Sequence, residues 1–110
     1  MTYSKWDIIL VTFPFTNLKS SKKRPALVIS PDIYNKGRDV VIAFITSKLE
    51  QEYKIGDYQI QNWREAGLPK PAMIRMKFAT IEKSIIIKTL GRLPEEDIFP
   101  FKNELLEFFK

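Results

Sequence analysis

A chain of 110 residues, 45% hydrophobic and 28% charged, has the make-up of a folded domain that can bury a core without staples; disorder is not expected. It contains neither cysteine nor histidine, which excludes disulfides, cysteine nucleophiles, histidine general bases and zinc sites built from those ligands. A formal charge of +5 favours a polyanion or an acidic protein as partner without choosing between them. No apolar run approaches membrane-spanning length, and Met1–Trp6 lacks the apolar core of a signal peptide. The composition predicts one domain over residues 1–110, cytoplasmic, with no membrane contact.

In chain order, Trp6–Phe13 is rich in β-branched and aromatic residues and ends at Pro14, which predicts a strand. Pro14–Lys23 is a polar loop. Arg24–Ser30 is the second strand, closed by Pro31-Asp32, and Asn35–Arg38 is a turn. Val40–Thr46 is the third strand, and its unbroken apolar run predicts burial on both faces. Lys48–Lys54 reads as loop, Asp57–Ile60 as a short strand, and Trp63–Pro71 as a helical turn or loop stopped by Gly67 and the prolines. Over Ala72–Thr80, Met73, Arg75 and Lys77 alternate with Ile74, Met76 and Phe78, the pattern of a strand with one basic face. Ile81–Ser84 is a turn and Ile85–Leu93 a last strand. Pro94-Glu95-Glu96-Asp97 opens a C-terminal helix, acids complementing its dipole, and Pro100 predicts a kink or restart before Phe101–Phe109. Short strands with one terminal helix predict a small barrel with helical cover.

Arg24 begins one strand and Thr46 ends the next. If the two strands pair antiparallel, both emerge at the same end of the sheet, where a guanidinium and a hydroxyl suit a phosphate. Lys19, Lys22 and Lys23 precede Arg24 and could track a nucleic-acid backbone, although a solvated loop is the plainer reading. Arg75 and Lys77 belong to the basic face of the fifth strand, which can equally be the wet side of an edge strand. The terminal phenylalanines, Phe99, Phe101, Phe108 and Phe109, are read as helix-packing residues.

In order along the chain, Asp7-Ile8-Ile9-Leu10-Val11, Arg24-Pro25-Ala26-Leu27-Val28-Ile29-Ser30, Tyr34-Asn35, Ile45-Thr46-Ser47, Thr80-Ile81-Glu82-Lys83 and Leu90-Gly91-Arg92-Leu93 together resemble the MazF/PemK family of toxins from type II toxin–antitoxin systems. The resemblance implies an SH3-like small β-barrel with added helices, a homodimer, no cofactor, and metal-independent cleavage of single-stranded RNA. It also implies a cognate antitoxin whose acidic segment blocks the cleft. Arg24 falls on the family's catalytic arginine and Thr46 on its catalytic threonine or serine. Lys19, Lys22, Lys23, Ser47, Arg75, Lys77 and Glu82 are the RNA-binding candidates. Trp6 stands where the family usually has glycine, the loop before Arg24 lacks the usual glycines, and Ala79 replaces an arginine that some members carry.

Cleavage of this kind sends a 2′-hydroxyl onto the neighbouring phosphorus, giving 2′,3′-cyclic phosphate and 5′-hydroxyl ends. Arg24 suits stabilisation of the phosphorane, since a guanidinium is a poor general base. Glu82, Asp7 and water are the candidates for taking the 2′ proton. A non-cleaving RNA- or protein-binding module on the same barrel is the alternative.

Overall fold

Six strands pair antiparallel into one sheet in the spatial order β4-β5-β3-β2-β1-β6 in the computed structural model, which describes residues 2–13, 22–49 and 53–110. The strands are β1 (Asp7–Phe13), β2 (Lys22–Val28), β3 (Asp39–Thr46), β4 (Tyr58–Gln59), β5 (Met73–Glu82) and β6 (Ile86–Arg92). A four-residue helix, α1 (Asp32–Asn35), joins β2 to β3; a 3-10 turn, Lys83–Ile85, joins β5 to β6; and α2 (Glu95–Phe108) closes the chain. This is the mainly β fold with a C-terminal helix that the sequence predicts. The sheet stays open, because its edge strands β4 and β6 do not pair with one another.

Side-chain alternation divides the core between the two faces of the sheet. Ile8, Leu27, Ala43, Ile45 and Ile74 point to one face, where Trp6, Leu93 and Phe101 join them. Ile9, Val11, Ala26, Val28, Val40 and Ile42 point to the other, with Tyr3 and Ile81. Burial on both faces accounts for the near-continuous apolar runs of β1 to β3.

The helix α2 is fixed at two points. Phe101 is fully buried, with its ring edge-on to Trp6 at 6.0 Å and tilted against Tyr58 at 5.9 Å. The Asp97 carboxylate, also fully buried, accepts hydrogen bonds from the Tyr58 hydroxyl (2.6 Å), the Gln61 N–H (2.8 Å), and the Asn62 N–H (3.0 Å) and side-chain amide (3.1 Å). Burial alone would raise the carboxyl pKa, but these donors outweigh it and hold Asp97 below the ordinary carboxylate range. Tyr58, desolvated and donating to that carboxylate, is pushed well above the usual phenol value.

Three expectations change. The helix runs unbroken through Pro100, because the proline removes one backbone bond while Asp97 and Phe101, on either side of it, are anchored to the same layer. The basic face of β5 does not form: Met73, Ile74 and Arg75 are all buried, and only Lys77 of the basic pair is exposed. The pairing with β3 jumps from Ala43↔Phe78 to Ile45↔Ile74, so residues 75–77 lie opposite Phe44 alone, and the bulge breaks the period of two. Of the terminal phenylalanines only Phe101 is core; Phe108 and Phe109 pack on Phe78 (6.3 and 5.4 Å between ring centres) but stay exposed, as does Phe99.

Candidate active site

Ser30 and Asn35 tie the β2–α1–β3 connection. The Ser30 hydroxyl donates to the Asn35 side-chain oxygen and accepts from the Val41 N–H (2.9 Å), and the Asn35 amide donates to the Ser30 carbonyl (3.0 Å). The network closes the connection where β2 ends and β3 begins, with Ala26, Leu27 and Val28 opposite Phe44, Ala43 and Ile42. Two residues beyond the last pair, Ala26↔Phe44, lie Arg24 on β2 and Thr46 on β3. The two side chains that the sequence set at one end of the sheet meet there, lining one cavity of about 340 Å³.

Thr46 Oγ1 accepts the N–H of Lys48 (3.2 Å), which fixes the side chain and leaves its hydroxyl hydrogen for a ligand. Arg24 is half-buried and forms no ion pair among the described residues. Lys23, Lys70 and Ser47 complete the polar lining, and no described carboxylate reaches the cavity. Leu10, Pro25, Ile45, Leu68, Pro69 and Leu90 supply apolar wall. A hollow whose described lining holds three cations, a positioned hydroxyl, an apolar wall and no acid matches a phosphodiester with an attached base.

The segment between β4 and β5 forms the far wall. Its ends are closed by the Ile60 N–H donating to Ala72 O (3.0 Å), and its turns by Ala66 N–H to Asn62 O (3.1 Å) and Leu68 N–H to Trp63 O (3.1 Å). Gly67 and Gly91 let this segment lie directly on β6: a Cβ at Gly91 would stand 2.2 Å from Ala66 O, and one at Gly67 2.2 Å from Leu90 O.

The other predicted residues divide. Lys23 and Ser47 join Arg24 and Thr46; Lys22 is exposed at the start of β2, outside the lining; Lys19 lies outside the described residues. Arg75 and Lys77 line a different hollow, of about 540 Å³, beside Tyr53, Met76 and Phe108. There the Arg75 guanidinium is buried and paired with Asp57 at 3.3 Å, so it is not a solvent-facing cation. Glu82 pairs with Asp39, at the opposite end of β3 from Thr46, about 23 Å away at ~3.3 Å per residue. Asp7 accepts the Ser4 N–H (2.9 Å) and sits four residues along β1 from the Arg24 level, about 13 Å on the same measure. The fold therefore brings neither carboxylate to the cavity. Lys70 and the Leu68–Pro69 wall carry no sequence signal beyond a loop-forming Gly-Leu-Pro-Lys-Pro run.

Comparison with known proteins follows the same lines. No curated protein matches the chain. Among solved structures, an endoribonuclease in complex with its cognate antitoxin from a mycobacterial species superposes with a TM-score of 0.77 at 13% identity, covering 96% of this chain and 93% of that one. The Mycobacterium tuberculosis toxin MazF-mt6 gives 0.73 at 17% identity over 94% and 95% of the two chains. A chain of the MazE–MazF complex of Deinococcus radiodurans gives 0.76 at 16% identity over 99% and 97%. At such identities the likeness is one of fold. The sequence itself matches the family described as PemK-like, MazF-like toxin of type II toxin–antitoxin system over residues 4–109. The chain belongs to that toxin family.

Proposed function

We propose that the protein is a sequence-selective endoribonuclease that cleaves single-stranded RNA, messenger RNA above all, without a metal ion, and so stops translation in the cytoplasm. The observation that carries this reading is the cavity shared by Arg24 and Thr46, without an acid among its described lining residues, at the positions where the family resemblance puts its catalytic pair. The 2′-oxygen forms a bond to phosphorus as the P–O5′ bond breaks. Arg24 donates paired hydrogen bonds to the non-bridging oxygens, and these strengthen as the phosphorane gains charge. The Thr46 hydroxyl donates a hydrogen bond to a non-bridging oxygen or to the departing O5′, and O5′ takes its proton from water. The distance of Glu82 and Asp7 from the cavity supports water as acceptor of the 2′ proton. The products carry 2′,3′-cyclic phosphate and 5′-hydroxyl ends.

In this reading Lys23 and Ser47 contact the substrate beside the scissile phosphate, and Lys22, exposed at the start of β2, together with Lys19 binds the RNA backbone. Arg75 acts indirectly, through its pair with Asp57, and Lys77 guides RNA from the neighbouring hollow. A cognate antitoxin with an acidic segment competes for the same cations; the antitoxin-bound state of two similar folds supports that partner. A second copy of the chain covers the exposed Phe108 and Phe109, whose rings meet edge-on at 5.2 Å, with Ile55, which lines one hollow with Phe108.

The test is incubation of purified protein with a long single-stranded RNA in excess EDTA, beside Arg24→Ala, with ends mapped by primer extension. Discrete cuts with cyclic-phosphate ends in the wild type only support the reading. Intact RNA with retained binding in both proteins refutes it in favour of a binding module.

A further inference from the structure

The segment between β4 and β5 has no assigned part in RNA recognition, yet it carries a cation and an apolar ledge into the cavity. Lys70 lies with Lys23 and Arg24 around the hollow, and neither it nor Arg24 has an ion-pair partner among the described residues. Its backbone is unusually constrained for an exposed lysine. Pro69 and Pro71 flank it, each with a fixed φ. Immediately upstream, Ala66 and Leu68 are buried and the Gly67 backbone rests on Leu90 and Gly91. Asn62, which accepts the Ala66 N–H, is itself held by the Asp97 carboxylate. Leu68 and Pro69, with Leu10 and Leu90, offer no side-chain donor or acceptor.

From this juxtaposition we propose that Leu68–Lys70 is the second half of the substrate site: Lys70 holds the phosphate next to the scissile one, while an unpaired base rests on an apolar ledge made by the exposed Pro69 with the half-buried Leu10 and Leu90. This rests on the nuclease reading for the chemistry, but not for the binding. Arg24, with a planar fork of donors, suits the reacting phosphate; an ammonium acts as a point charge and suits a phosphate that only needs to be held. A ledge without hydrogen-bonding groups accepts a base by contact area and does not read its edge. The base must be out of a duplex to reach it, which gives the site a preference for single strands.

The experiment measures binding of a fluorescent RNA oligonucleotide with 2′-O-methyl groups, which cannot attack, by anisotropy across a salt series. The proteins are wild type, Lys70→Gln, Lys70→Arg and, as a charge-matched control, Lys36→Gln, which lies beyond α1 at the opposite end of the sheet. Loss of one phosphate contact lowers the slope of log K against log salt by about 0.7 for a single strand. Lys70→Gln is expected to show that loss with several-fold weaker binding, Lys70→Arg to restore both, and Lys36→Gln to match the wild type. On unmodified RNA, Lys70→Gln is expected to raise KM and leave kcat within about twofold, since a held phosphate contributes uniform binding. Annealing a complementary strand is expected to weaken wild-type binding. An unchanged slope in Lys70→Gln, or equal affinity for the duplex, overturns the proposal. Wild-type protein that binds but does not cut refutes only the nuclease reading and leaves the Lys70 comparison intact; wild-type protein that does not bind overturns both.

Discussion

Replacing Gly91 by alanine tests the contact that holds the far wall of the cavity. Gly91 sits on β6 opposite Ile8, and its Cα faces the Ala66 carbonyl, with no room for a methyl group: the new Cβ would stand 2.2 Å from Ala66 O and 2.8 Å from Ala66 C. Both obstacles are backbone, so no side chain can swing aside. To reach ordinary contact near 3.4 Å, strand and segment must part by more than 1 Å. That movement would loosen Ala66 and Leu68, both now buried. Overpacking of this kind costs about 3 kcal/mol at the upper end of its usual range. With an unfolding entropy near 2.1 cal/mol/K per residue, that corresponds to a fall in Tm of about 13 °C for a chain of this size. Gly67→Ala opens the same gap from the other side, against Leu90 O, and adds strain because Gly67 has φ +89°. The double variant should therefore lose less than the two single losses combined. Gly37→Ala is the control: its Cβ would meet only Tyr34 O, at 3.5 Å, so its Tm should stay within about 3 °C of the wild type. Thermal and urea unfolding followed by circular dichroism read all four. A Gly91→Ala Tm within about 2 °C of the wild type, or strictly additive losses, would refute the close-contact argument.

Thr46→Val keeps the shape but removes the hydroxyl, and kcat should fall about 10²-fold or more with little change in Tm, whereas Thr46→Ser should keep most of the activity; single-turnover cleavage decides. Asp97 has a folded pKa below its unfolded one, so its stabilisation is present above the unfolded carboxyl value near ~3.9 and is lost as pH falls through the folded value. Asp97→Asn should be markedly less stable at pH 7 and show a smaller stability loss across that acid window, as measured by urea midpoints from neutral to strongly acidic buffer. Trp6 adopts φ 77°, where glycine would be unstrained, yet its ring is buried against Phe101. Trp6→Gly relieves about 1 kcal/mol of backbone strain and loses about 3–5 kcal/mol of aromatic burial, so urea unfolding should find it less stable on balance.

The strands around Arg24 and Thr46 were legible because their apolar runs are bounded by turn residues, Pro31-Asp32 after one and Asn35–Arg38 before the next. Once β2 and β3 pair, parity and strand length bring Arg24 and Thr46 together without further information. The β5 strand misled for a physical reason. Period-two alternation assumes an unbroken ladder, and the bulge opposite Phe44 turns Arg75 inward to Asp57. Lys70 was hidden for another reason. It reaches the cavity only because two glycines on separate elements touch, a long-range fact that no local pattern encodes. Pro100 was read by a rule for isolated helices, which tertiary anchoring at Asp97 and Phe101 overrides.

The same geometry constrains how the reaction depends on pH. The chain has no histidine or cysteine, and the candidate carboxylates Glu82 and Asp7 stand about 23 Å from Thr46 and about 13 Å from the Arg24 level by strand spacing. If water accepts the 2′ proton, as proposed above, none of the described cavity residues is expected to impose a titration on the rate near neutrality. It should be flat, or rise about tenfold per pH unit where hydroxide takes over, with no plateau between about pH 5.5 and 7.5. Single-turnover cleavage at saturating protein removes binding from the profile. A step inside that window would require a carboxylate with a strongly raised pKa at the cavity, and the proposed water mechanism would fall. Failure of that kind would spare the assignment of Arg24 and Thr46, since charge stabilisation and leaving-group donation are independent of which group takes the first proton.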